Sequence, residues 1–199
     1  MDTNTEIWRS YYEKALAKPH LKRTEFVCSL NQYQSTLKVA IDCGCGVGSD
    51  MDFLSQHGYR VHGFDINSDS IEICEERFAD NPLVEVINAS FEQFQYPKAG
   101  IVLANSSLFF ADPSQLESAW HKIVACIEIG GVFAGDFMGV KDTWATHYRS
   151  PTSSFTESEV RDLFSSFEVL RFHERDEKAT TALGRMKHWH TYSVVAVKR

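Results

Sequence analysis

Short apolar runs alternate along this chain with stretches whose apolar residues return every three or four positions. The first rhythm suits a strand buried on both faces and the second a helix laid on it, so the alternation predicts a parallel α/β sheet. Lys38–Asp42 is an apolar run that stops in glycines, a buried first strand. Val47, Met51 and Leu54 then fall at i, i+4 and i+7, one face of a helix that ends near Gly58. Arg60–Asp65 reads as a second strand, and Ser68 as the cap of a helix that turns Ile71, Cys74 and Phe78 inward. Pro82 marks the turn into a third strand, Val84–Asn88, and Ile101–Asn105 supplies a fourth.

Asp112-Pro113-Ser114-Gln115 is the best-marked helix start: a cap residue, proline at the first helical position and a Gln three beyond the cap. Its stripe is Leu116, Ala119, Trp120, Ile123 and Ile127, and Gly130-Gly131 is expected to end it before a fifth strand, Val132–Phe137. Thr156-Glu157-Ser158-Glu159 is a capping box for a helix carrying Val160, Leu163 and Phe164. Phe167–Arg175 and Thr191–Lys198 have no helical crossover between them, so they are expected to pair antiparallel at the sheet edge. The fold class is therefore α/β: a doubly wound sheet of seven strands, mostly parallel, with an antiparallel last strand. Thr3–Ala17 reads as an amphipathic helix with Ile7, Trp8, Tyr11 and Tyr12 on its apolar side. One domain over residues 1–199 is expected, with a helical lid or packing element in residues 1–25 ahead of an α/β core at 38–199.

Composition narrows the function. At 43% hydrophobic residues the chain can bury a core without disulfides or a structural metal. A net charge of -7 argues against a surface that attracts phosphate backbones, so no nucleic-acid partner is expected. Charged residues interrupt the first thirty positions and no later apolar run reaches spanning length, so the expectation is no membrane partner and a cytoplasmic location. Five cysteines without repeated spacing read as reduced thiols. Cys43 and Cys45 lack further ligands nearby, and no metal is expected.

The chemistry lies in Asp42-Cys43-Gly44-Cys45-Gly46-Val47-Gly48. A strand that feeds Gly44, Gly46 and Gly48 and then a helix places glycines where the backbone turns sharply against a ligand, as nucleotide-binding α/β folds do. The pyrophosphate fingerprint G-x-G-x-x-G would need glycine where Ser49 stands, and has no use for Asp42. An acid there repels a pyrophosphate and attracts a sulfonium or ammonium, which disfavours a nicotinamide-dependent oxidoreductase and favours S-adenosylmethionine. Asp65 ends the second strand, where it can accept from both ribose hydroxyls, and Ile66 beside it can pack on adenine.

Through Val39 to Gly48 and the strand-end acid of Gly63-Phe64-Asp65, the sequence resembles the class I S-adenosylmethionine-dependent methyltransferases. The resemblance runs from about Val39 to Phe137. It implies a seven-stranded sheet with a reversed last strand, Asp42, Gly44 and Gly46 facing the methionine part, Asp65 on the ribose and the segment after the third strand on adenine, with Cys45 and Gly48 of the same loop also expected at the cofactor. Many members carry an Asp at that last place; here Ser90 and the Phe91 backbone stand there. The N-terminal helix with Trp8 and Tyr12 resembles the small-molecule branch that includes tellurite-resistance-type methyltransferases.

Ligands of open α/β sheets lie beyond the carboxyl ends of the strands, so the acceptor is expected near Asn105–Phe110, Asp136–Trp144 and Arg185–His190. Asn105 is expected at the cofactor's methionine end. If the acceptor must lose a proton, His188, His190 or His147 suit the task, with Asp142 or Asp136 orienting one of them. Lys141, Arg149, Arg185 and Lys187 suggest an anionic small-molecule acceptor. A cofactor-binding module without catalysis fits the same motifs.

Overall fold

The computed structural model describes residues 3–35 and 37–199. Its centre is one mixed sheet in the order β3-β2-β1-β4-β5-β8-β7. The strands are β1 (Val39–Cys43), β2 (Arg60–Asp65), β3 (Val84–Asn88), β4 (Ala99–Ala104), β5 (Ile127–Gly139), β7 (Phe167–Thr180) and β8 (Met186–Lys198). A two-residue strand, β6 (Ser154–Phe155), pairs with the end of β5 off this path and makes eight. β1 to β5 run parallel, whereas β8 pairs antiparallel with both β5 and β7.

Side chains alternate between two cores, one on each face. In β4, Val102 and Ala104 join the cluster that holds Trp120 and Phe164, whereas Ile101 and Leu103 join the one that holds Met51 and Val27. The period of two in a strand buried on both faces gives this division, and it is what doubly wound means physically. Helices α3 (Ser49–Gln56) and α4 (Ser68–Arg77) cover one face, joined by α2 (Lys22–Gln34). α5 (Leu116–Cys126) and α7 (Glu157–Leu163) cover the other. None of the described side chains of α1 (Thr3–Leu16) belongs to either cluster.

Several local expectations shift. The cap of α4 is Asn67, whose side chain accepts from Asp69 N at 3.0 Å, one residue before Ser68. Asp112 does not start α5: its carboxylate accepts from Ser114 N and Oγ, both at 2.8 Å, closing a turn of its own, and the helix begins at Leu116. Gly130-Gly131 does not end that helix either, because β5 has begun at Ile127 and the glycines lie inside it, Gly130 at φ 79°. The hairpin strands are longer than their apolar runs, since Asp176 to Thr180 pair with Met186 to His190 past the last β5 partner, Thr191. α2 and the short α6 (Thr143–His147) were not foreseen. The capping box of α7 forms as expected, with Thr156 N donating to Glu159 Oε2 at 2.7 Å.

Candidate active site

The register brings the carboxyl ends of β1, β2 and β4 side by side, with Asp42 opposite Gly63 and Leu103. Above them lies a cavity of about 1030 Å³. The glycine loop forms its floor because its backbone is turned out of the way of side chains. Gly44, Gly46 and Gly48 all have positive φ, at 71°, 53° and 75°. A Cβ at Gly44 would stand 2.5 Å from the Ser107 Cβ, and one at Gly48 2.6 Å from the Phe78 ring. Gly46 is different: a Cβ there would meet only the Tyr12 ring at 4.0 Å, so its open side faces the cavity. Gly44 N and Cys45 N donate to Phe64 O at 2.8 and 3.0 Å, which pins the turn to β2.

Asp42 is 4% exposed, and its carboxyl lines the cavity without a hydrogen-bond or ionic partner among the described residues. Burial, reinforced by Asp50, Cys74 and Asp65, holds it well above the usual carboxylate range. Asp65 is tethered: Oδ2 accepts from Gly46 N at 3.1 Å and Oδ1 from Asn67 N at 2.9 Å. Burial still pushes its carboxyl up against those donors. Ile66, 76% exposed, presents an unpacked apolar side chain at the rim, and Ser90 and Phe91 line the cavity opposite.

Asn105 also lines the cavity, but its side chain is occupied. Its Oδ1 accepts from Arg23 and its Nδ2 donates to Asp50 Oδ2 at 2.8 Å. Behind it sits an arrangement the sequence reading missed. Arg23 of α2 forks onto both Asp136 oxygens at 2.7 Å, and Asp136 also accepts from Ser106 N at 2.9 Å and Ser193 Oγ at 2.6 Å. Burial alone would raise the Asp136 carboxyl; Arg23 and the hydroxyl and amide donors outweigh it and hold it low. The pair spans 113 residues of sequence and so leaves no local signal.

α1 lies across the cavity with Trp8, Tyr11, Tyr12 and Ala15 facing in. Arg9 ties it to Asp69 of α4 at 2.6 Å, and Trp8 meets Phe110 edge-on at 5.9 Å between ring centroids. The turn between α1 and α2 adds Lys18 and His20 to the lining beside Ser49 and Asp50.

None of His147, His188, His190 and Asp142 lines this cavity, contrary to the sequence expectation. His190 is 1% exposed, its Nδ1 accepting from Lys141 N at 3.0 Å and its Nε2 facing Glu174 at 2.9 Å. His188 faces Asp176 at 2.6 Å, and exposed His147 faces Thr146. Asp142 is buried, caps α6 through Trp144 N at 2.9 Å and pairs with Lys187. These groups weld α6 to the hairpin. They are brought together, but beside the cavity.

Fold and loop together define a class: a doubly wound sheet with a reversed end strand, and an acid-bearing glycine turn under a deep cavity. Residues 40–131 match the family described as methyltransferase domain. No curated protein matches the sequence. Among solved structures, TehB from Haemophilus influenzae superposes with a TM-score of 0.73 at 18% identity over 90% of this chain, which spans 63% of that protein. The N-methyltransferase NodS from Bradyrhizobium japonicum, in complex with S-adenosylhomocysteine, gives 0.66 at 14% identity, covering 89% of this chain and 86% of that one. The 1,6-didemethyltoxoflavin-N1-methyltransferase of Burkholderia thailandensis gives 0.66 at 17% identity, covering 98% and 86%. The chain thus has the fold of the class I methyltransferases, a class whose methyl donor is S-adenosylmethionine, and it matches the methyltransferase-domain family over a little under half of its length.

Proposed function

We propose that the chain transfers a methyl group from S-adenosylmethionine to a small-molecule acceptor. The observation that carries this reading is Asp42: a buried carboxyl, unpartnered, aimed into a cavity floored by glycines. A buried acid left without a partner is costly. A cationic ligand removes the cost, whereas a pyrophosphate would add to it.

The remaining residues fit the rest of the donor. Gly44, Cys45 and Gly46 let the ligand approach the backbone, whereas Gly48, expected with them, is off the lining and packs against Phe78 and Cys74; Lys18 is the cation within reach for a carboxylate at the methionine end. Asp65 keeps lone pairs free for the ribose hydroxyls beyond its two backbone donors. Ile66 offers a face for adenine, and Ser90 and the Phe91 backbone offer polar contacts to its edge. Asn105, held by Arg23 and Asp50, shapes the wall at the methionine end.

When bound, the donor supplies an electrophilic methyl carbon: the acceptor lone pair bonds to it as the carbon–sulfur bond breaks and sulfur keeps the electron pair. The chain's share is to hold the two in line and keep water out, the part of such a displacement that a protein can accelerate most. His20 is the only imidazole in the described lining, and it stands at the Lys18 end. Positioning rather than proton abstraction by His147, His188 or His190 is therefore the mechanism we favour. A net charge of -7 speaks against a nucleic-acid acceptor, and five free buried thiols suit the cytoplasm. No helix among the described residues is long and apolar enough to cross a membrane.

Calorimetric titration with S-adenosylmethionine and with NAD tests the donor. The first is expected to saturate and the second to show no heat; the reverse would sink the reading. Release of S-adenosylhomocysteine on adding acceptors separates an enzyme from a binding module.

A further inference from the structure

Away from the Lys18 end, the cavity finishes in a wall of aromatic rings delivered by three separate elements. Trp8 comes from α1, Phe110 from the turn after β4, and Tyr148 from the residue that follows α6. Phe110 stands between the other two, its ring centroid 5.9 Å from Trp8 and 5.2 Å from Tyr148. All three rings are only half-buried and line the cavity. Pro113 and Pro151 extend the same wall.

The charged residues of the lining there are acids: Asp112, whose carboxylate is engaged by Ser114, and Glu92, which accepts from Asp112 N at 3.1 Å. The cations that suggested an anionic acceptor all lie off the described lining. Lys141 bonds Asp176 at 2.6 Å, Lys187 is paired with Asp142, Arg149 lies 5.8 Å from the Tyr148 ring centroid but off the lining, and Arg185 is exposed at the hairpin turn. The acids Asp42, Asp50 and Asp65 line the floor instead. An oxyanion entering this space would surrender its hydration, find no cation in the described lining beside the rings and meet repulsion from the acids below.

We propose that the methyl acceptor is an uncharged small molecule with a flat aromatic or heteroaromatic body, held by ring contacts to Trp8, Phe110 and Tyr148, and is not an oxyanion. The proposal rests on the donor reading above. Aromatic rings attract flat π-faced ligands beyond the area they bury, so three walls select shape and flatness more than any one functional group. The nucleophilic atom of such a body is left to point away from the rings, toward the glycine floor.

The experiment uses the full chain saturated with S-adenosylhomocysteine, so that binding is read without turnover. Naphthol serves as the flat uncharged probe and selenite as the oxyanion, each titrated against tryptophan fluorescence and by calorimetry. Naphthol is expected to saturate, with Phe110→Leu and Tyr148→Ala each raising its Kd by about 3- to 10-fold, the size of one ring contact. S-adenosylhomocysteine affinity is expected to hold within about twofold in both variants, a control that they fold and keep the donor site. Selenite is expected to give no saturable signal. Saturable selenite binding, or naphthol binding that ignores both substitutions, overturns the acceptor proposal while the donor reading stands. Failure of the unsubstituted chain to bind S-adenosylhomocysteine overturns the donor reading and the proposal together.

Discussion

Asp42 was prominent in the sequence because an acid two residues before the first glycine is out of place in a pyrophosphate site; the fold then shows that it is unpaired. Its carboxyl is raised in the folded chain, so the folded state holds that proton more tightly than the unfolded state, whose value is near 3.8. Stability contributed by this group is complete below that value and is lost as pH climbs toward the raised one. A cationic donor favours the ionised form, so its binding should release a proton and tighten as pH rises through the same window. Calorimetry in two buffers of different ionisation enthalpy reads this directly: the observed heat should depend on buffer for the native chain and not for Asp42→Asn. Buffer-independent heat in the native chain would contradict it. Asp136 shows the opposite sign, held low by Arg23 against its burial, and adds stability above 3.8 that is lost as pH falls through its folded value. No reading of single positions could find that pair, since Arg23 gains its role only when α2 crosses the ends of β4 and β5.

Elements with strict periodicity or reciprocal caps were legible. β2 and β3 stand at their expected limits, because each is a run with strand propensity bounded by turn residues. α2 was invisible for a physical reason: of its described side chains only Thr24, Val27 and Cys28 are buried, too few to mark a stripe. The outer half of the β7–β8 hairpin was missed because it is held by polar pairs. There Lys187 lies between two indoles, its Nζ 3.7 Å from the Trp144 ring centroid and 3.9 Å from that of Trp189, while pairing with Asp142. Burial lowers the Lys187 ammonium, and Asp142 opposes that shift. Lys187→Ala would leave the Asp142 charge buried with only amide donors, and breaking a buried pair of this kind costs about 3–5 kcal/mol. A urea midpoint that falls accordingly, with S-adenosylhomocysteine affinity little changed, is expected. An unshifted midpoint would mean the pair is not holding α6 to the hairpin.

Across the whole molecule, α1 is a cover more than a part of the core. Of its described side chains only Tyr12 is buried, and the helix is moored by one exposed ion pair, Arg9 to Asp69, and by ring contacts at the cavity mouth. Exposed ion pairs contribute little, so the helix can open at small cost. Removing residues 1–16 should therefore leave the denaturation midpoint of the sheet nearly in place while turnover is lost; collapse of the fold would show α1 to be a packing element instead. The acids gathered at the strand ends carry one more consequence, for the end of the catalytic cycle. Of the two positive charges that draw the donor to Asp42, the sulfonium is lost as the methyl group leaves, since a thioether is neutral, and the ammonium remains. In the proposed reaction that loss weakens the grip of Asp42 on the spent nucleoside at the moment it must leave. Asp42→Asn should erase that preference, bringing the dissociation constants of S-adenosylmethionine and S-adenosylhomocysteine toward each other when both are titrated at one pH.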